Sequence, residues 1–172
     1  KTELLFFSDK AAVYKTKVSQ FADTKASSLG DYIPAKLGFD DGEGVVSMVN
    51  TVDYSGYMIF CFENGKVAKV PLNAYETKTN RKKLANAYSA KAKLVGMFFV
   101  QDNAEIMLLM PKSTRDTIGV QVMTLKAKNA VVDKAFIVDD ETAAGLSKYR
   151  SKTIPVAGCF AKDIEDPDQM HF

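Results

Sequence analysis

The chain has 172 residues, 47% of them apolar and 26% charged, so it can bury a sizeable core and disorder throughout is excluded. Its formal net charge is only +2, which by itself points to no polyanionic partner. The longest apolar runs, such as Val95 to Val100, are far too short to cross a bilayer, and no basic-then-apolar leader is visible. Opening on Lys1 and lacking a glycosylation sequon, the sequence reads as a soluble, cytoplasmic piece of a longer protein. Cys61 and Cys159 each sit among apolar neighbours, as small buried hydrophobes do.

The first predicted element is a hairpin. An apolar run from Leu4 to Phe7 ends on polar Ser8, Asp9-Lys10-Ala11 turns the chain, and Val13-Tyr14-Lys15 returns it. Lys15 and Lys17 lie two apart and so share a face of the returning strand. Thr24 to Leu37 holds Gly30 and Pro34 and reads as non-helical, whereas Ile33 to Phe39 and Val45 to Val49 read as strands. Asp40-Asp41-Gly42-Glu43-Gly44 is the turn between them.

At an offset of 54 residues the plan returns, with Tyr57-Met58-Ile59-Phe60-Cys61-Phe62, then Glu63-Asn64-Gly65, then Lys66-Val67-Ala68-Lys69. Asn-Gly predicts a type I′ turn. Val13 matches Val67, Lys15 matches Lys69, Val18 matches Leu72 and Phe21 matches Tyr75, but the second apolar run stays apolar to Phe62. Lys66 and Lys69, three apart, do not share a face. Lys78 to Leu94 suits either a basic amphipathic helix or a loop and strand, and the repeat favours the latter. Leu94 to Val100 is a strand, and Glu105 to Met110 opens a third copy 48 residues after the second. There Pro111-Lys112-Ser113 replaces the expected turn, so this unit is either abbreviated or short of residues. Val120 to Leu125 and Val131 to Val138 complete the strand-like stretches.

Two hairpins, or four strands, recurring about every 50 residues predict an all-β fold, a β-propeller of four-stranded blade-like repeats. The chain would be a single repeat domain with three to four blades of a larger set, in units of about 3–56, 57–104 and 105–172. Trp is absent and no Gly-His or Trp-Asp signature occurs, which counts against the WD40 branch.

No catalytic constellation is visible. The single histidine, His171, sits beside the end of the sequence, and there is no zinc spacing, phosphate loop or nucleophile elbow. Asp139-Asp140-Glu141 and the acids from Asp163 to Asp168 lack EF-hand spacing and read as solvated loops, so no metal site is expected. Charge is instead concentrated in the middle, where Lys66 to Lys93 holds eight cations and the single acid Glu76. Binding phosphate needs only cations and amides on one surface. The candidate residues are Lys15, Lys17, Lys66, Lys69, Lys78, Arg81, Lys82, Lys83, Lys112, Arg115, Lys148, Arg150 and Lys152. No element for reading bases is evident, so such binding would be largely sequence-independent and salt-dependent.

Three stretches resemble the C-terminal domain of the A subunits of bacterial type IIA topoisomerases, DNA gyrase and topoisomerase IV. They are Leu4 to Lys10 with Val13-Tyr14, Phe62 to Lys69, and Ser113 to Val120. The resemblance implies a β-pinwheel whose basic rim holds and bends duplex DNA for strand passage or supercoiling. It also implies partnership with an ATPase B subunit, with the rest of the A subunit, and a place near the nucleoid, with no membrane. This piece would be non-catalytic and without a cofactor, ATP and Mg belonging to other parts of the parent isomerase. The arginine-rich Gln-Arg-Arg-Gly-Gly-Arg-Gly heptapeptide of gyrases is absent, and Ala26-Ser27-Ser28-Leu29-Gly30 occupies a comparable loop. That departure favours an A subunit that is divergent or topoisomerase IV-like, or else places the blade that carries the heptapeptide outside this piece. The alternative that charge alone leaves open is a protein-interaction propeller docking an acidic partner.

Overall fold

Short, largely apolar runs build the longer strands, with Glu3–Ser8 and Tyr57–Phe62 buried on both faces, and eight strands occur among the described residues. The structure, a computed structural model, describes residues 1–77, 81–101, 119–125, 131–132, 135–147, 150–151 and 153–155. In chain order the strands are β1 (Glu3–Ser8), β2 (Val13–Lys17), β3 (Val45–Thr51), β4 (Tyr57–Phe62), β5 (Lys66–Pro71), β6 (Lys83–Leu84), β7 (Leu94–Val100) and β8 (Val120–Gln121). They form two antiparallel four-stranded sheets, ordered β3-β1-β2-β6 and β7-β4-β5-β8. The all-β, blade-like architecture predicted from the repeat is the one observed.

The sheets are copies down to their irregularities. The β1/β3 ladder slips between Phe7 and Ser8, and the β4/β7 ladder slips between Cys61 and Phe62, at the matching position. Just beyond each slip, the Asp9 amide donates to the Gly44 carbonyl and the Glu63 amide to the Lys93 carbonyl. In space the blades are offset from the sequence units. Each sheet takes three strands from one unit and its fourth from the next: β6 follows the second hairpin yet pairs with β2, and β8 pairs likewise with β5.

Both hairpins turn through three residues rather than two. Gly65 donates its amide to the Phe62 carbonyl at 3.0 Å and alone in its loop has positive φ, +75°. This is a type I turn closed by a left-handed residue, in place of the expected type I′. Ala11, at the matching place, takes the same conformation with φ 54°.

Ile33 to Leu37 corrects a second expectation. It is a short helix, α1 (Ile33–Leu37), not a strand, because Pro34 sits at its start and Gly38, at φ +68°, caps its end. Lys78 to Leu94, by contrast, holds no helix among its described residues and contributes β6, as the repeat favours. Of Val120 to Leu125 only the first two residues form a strand, and the described part of Val131 to Val138 forms none. A second helix, α2 (Asp140–Gly145), begins on two acids, Asp140 and Glu141, the favoured charge at a helix start.

The core lies between the sheets. Leu5, Phe7 and Val13 of the first meet Met58, Phe60, Phe62, Ala68 and Val70 of the second, with Tyr75, Ala87 and Tyr88 filling the layer between them. Phe7 stands edge-on to Phe60 and Tyr75, and Phe60 stacks on Tyr88 at 5.2 Å. Fully burying one such ring contributes about 2 kcal/mol. Tyr75 and Tyr88 keep their hydroxyls satisfied by donating to the carbonyls of Ala87 and Ser8. The opposite face of the first sheet, with Phe6, Ala12 and Tyr14, is covered by Phe21, Ile33, Leu37 and Phe39. Cys61 is buried as expected, which pushes its thiol up to about 11.

Candidate nucleic-acid interface

Strand β2 carries Lys15 and Lys17 on one face, and β6, borrowed from the next unit, lies antiparallel beside it. The Lys15 amide donates to the Lys82 carbonyl at 2.7 Å, which brings Arg81 and Lys82 alongside β2. Helix α1 forms the far wall and adds Lys36. A groove of about 730 Å³ results, lined by Lys15, Lys17, Lys36, Arg81 and Lys82, with Glu3 as its one acid among the described residues. Four of these cations were singled out from the sequence, and folding brings them together from segments more than sixty residues apart.

The five cations are not equivalent. Lys15 donates to the Tyr75 carbonyl and the Thr77 hydroxyl and lies 5.3 Å from the Tyr54 ring, so it also ties the first sheet to the second. Burial lowers its pKa, and the charges of Glu3 and Glu76 oppose that shift. Lys36 pairs with Asp31 at 2.7 Å and rests on the Phe21 ring. Lys17, Arg81 and Lys82 are exposed and have no ion-pair partner among the described residues. Those three are the cations most available to an anion. Lys36 was missed because its segment read as a strand; the Pro34 to Gly38 spacing is the signal that would have found it.

Lys83 points the other way. It pairs with Asp40 at 2.7 Å, approaches the buried Glu43 at 3.9 Å and sits over the Tyr14 ring. The Asp40 carboxylate, with the Tyr14 hydroxyl, raises its pKa. Lys66 and Lys69 lie on the second sheet, outside the groove, and Lys69 packs over Tyr57 at 4.1 Å. Arg150 is exposed and also does not line the groove. Lys78, Lys112, Arg115, Lys148 and Lys152 lie outside the described residues, as do His171 and the Asp163 to Asp168 cluster.

Among the described residues, no group of three His, Cys, Asp or Glu side chains converges as a metal site would require. No helix among them is long and apolar enough to cross a membrane.

Behind β2 and β6 lies a polar cluster that the sequence reading did not assign. Glu43 has a buried carboxylate that accepts hydrogen bonds from the Ser8 hydroxyl, the Tyr14 hydroxyl at 2.7 Å and the Asp40 amide at 2.9 Å. Burial alone would raise its pKa. The hydrogen bonds and the nearby Lys83 outweigh burial and hold it below the usual carboxylate value. Burial, with Glu43 adding to it, raises the Tyr14 hydroxyl. The available signal was Ser8, a polar ending where the second copy has Phe62.

A family model described as the DNA gyrase C-terminal domain, beta-propeller, matches residues 2–30 and 111–139. The chain is 25% identical over 117 residues to the gyrase A protein of Streptomyces coelicolor, covering 64% of this chain and 14% of that protein. It is 32% identical over 74 residues to a rice protein named as a probable gyrase A of chloroplasts or mitochondria, covering 42% of this chain and 8% of that one. The chain thus spans only a small part of the curated relatives it matches. Its fold superposes on the C-terminal domain of DNA topoisomerase IV with TM-score 0.67 at 20% identity, over 81% of this chain and 48% of that domain. The E. coli ParC C-terminal domain gives TM-score 0.53 at 12% identity, over 73% of this chain and 56% of that one. The resemblance read from the sequence thus recurs in the comparisons: the chain is similar to the C-terminal part of gyrase A proteins, and its fold is similar to the β-propeller of the topoisomerase IV C-terminal domain.

Proposed function

We propose that the chain is a non-catalytic part of the A subunit of an ATP-dependent type II topoisomerase, and that it holds duplex DNA along its basic groove. One observation carries this reading: Lys15, Lys17, Arg81 and Lys82, chosen from sequence as phosphate ligands, line a single groove in which Glu3 is the one acid among the described residues. Arg81 suits the role because its planar fork can pair bidentately with a phosphate. Lys17 and Lys82 supply point charges on either side of it. With no base-reading element among the described residues of the groove, binding is largely independent of sequence. A groove on the flank of one blade lets a duplex continue onto the next and curve as it does so, which is the basis for proposing bending as well as holding. The partners in this reading are an ATPase B subunit, together with the remainder of the A subunit, in the setting of the nucleoid. ATP and Mg would act there and not here.

The test is binding to a duplex long enough to bend, titrated from low to physiological salt. Three to five phosphate contacts predict a slope of log affinity against log salt of about −3 to −4.5. The change Lys17→Ala, Arg81→Ala, Lys82→Ala should make it shallower by nearly three. Absence of binding at low salt would overturn the reading and favour an acidic protein partner. End-to-end energy transfer on the same duplex, labelled at both ends, reports bending separately.

A further inference from the structure

We propose that Glu43, with Ser8 and Tyr14, is a positioning residue for the basic groove: acting through Lys83, it sets strand β6 so that Arg81 and Lys82 stand in the groove. This rests on the DNA-holding reading and adds to it a group that never touches DNA.

The geometry begins with alternation from Lys82 into β6, which starts at Lys83. Lys82 faces the groove and gives its carbonyl to Lys15, while Lys83 turns to the opposite face. There Lys83 meets Asp40 at 2.7 Å and Glu43 at 3.9 Å. Glu43 in turn receives the Asp40 amide, so one buried carboxylate holds both the acidic loop and, through it, the lysine. Ser8 on β1 and Tyr14 on β2 fix that carboxylate to the sheet.

Strand β6 is only two residues long and comes from another repeat, so its ladder alone defines its register weakly. The cluster supplies a charged contact at the second of the two ladder pairs, Tyr14 with Lys83. In the second sheet the four matching positions are Phe62, Ala68, Ala92 and Gly119, which cannot form such a contact. The device therefore belongs to the sheet that carries the groove.

The experiment compares the full chain with Glu43→Gln, Lys83→Met, the pair Arg81→Ala/Lys82→Ala, and each single change combined with that pair. Salt-dependent duplex binding is measured well below the thermal midpoint of each variant, together with amide exchange. Glu43→Gln should flatten the salt slope by about two, as if Arg81 and Lys82 were gone, and should add nothing to the pair. Lys83→Met should do the same and, being only partly buried, tests the idea should Glu43→Gln not fold. Exchange at the Lys15 and Leu84 amides should quicken while β4 and β5 stay protected. If Glu43→Gln only lowers the thermal midpoint, or if the Lys83 and Arg81/Lys82 losses simply add, the proposal is overturned and Lys83 is an ordinary phosphate contact. If the unaltered chain binds no duplex, the DNA reading fails by itself. The positioning role is then decided by exchange at Lys15 and Leu84 in Glu43→Gln.

Discussion

Among the described residues, the first sheet adds charge to the ladder that holds its borrowed strand, and the second adds a neutral side-chain amide. Lys83 reaches from β6 into Asp40 and Glu43, whereas at the matching place Gly119 lies flat against β5 and Gln121 donates to the Asn64 carbonyl at 2.7 Å. A Cβ on Gly119 would run into the Val67 carbonyl, and its φ of +91° is one that side chains rarely adopt. The difference follows from what covers each face. Phe62 and Ala68 look into the dry layer between the sheets, where an ion would be left without water or partner. Ser8 and Tyr14 look outward to a loop with room for a carboxylate and its donors. Identical ladders can thus be closed by opposite chemistry, with the neighbouring layer deciding which.

The largest test of this contrast is Gly119→Ala, which should cost about 3 kcal/mol by forcing β8 away from β5, read from urea unfolding. Glu43→Ala should follow at about 2 to 3 kcal/mol, since it strands two hydroxyls and an amide, and it should leave exchange in the second sheet untouched. The same residue gives the first sheet an acid sensitivity. Its folded pKa is depressed, so its contribution is fully present above the ordinary carboxylate pKa of about 4.3 and is lost as pH falls through the folded value. Stability against pH below that point should be flatter in Glu43→Gln; equal slopes would show that the cluster does not titrate with folding. Tyr88→Phe, which removes a bond to the Ser8 carbonyl between the sheets, should cost about 1 kcal/mol in thermal unfolding. Smallest is Ala11→Gly, which relieves a left-handed alanine and should stabilise by up to about 1 kcal/mol. Gly65→Ala should act in the opposite sense, because its Cβ would come within 2.5 Å of the Met123 carbonyl.

Much of the fold was legible because the repeat made it so. Val13 with Val67 and Lys15 with Lys69 are in register in space as in sequence. Asn64-Gly65 signalled a turn correctly but not its type, since two and three-residue loops draw on the same residues and strand register decides between them. Ile33 to Leu37 was misread because a five-residue helix is too short to show a period. The repeat argument that kept residues 78–94 from being a helix leaned partly on that misreading, and its conclusion held for the described residues all the same. At the candidate site, Arg81 and Lys82 were visible as charge. Their meeting with Lys17 depends on a strand crossing between repeats, which no local pattern encodes. Glu43 looked like one more turn acid, and only the buried hydroxyls that surround it say otherwise.

The borrowed strands also impose an order in time. During synthesis β1, β2 and β3 are complete once Thr51 has been made, yet the β2 edge gains its partner only when Leu84 has followed. Each blade is therefore finished by its successor, and a chain halted between hairpins leaves an open edge of the kind that invites pairing with another molecule.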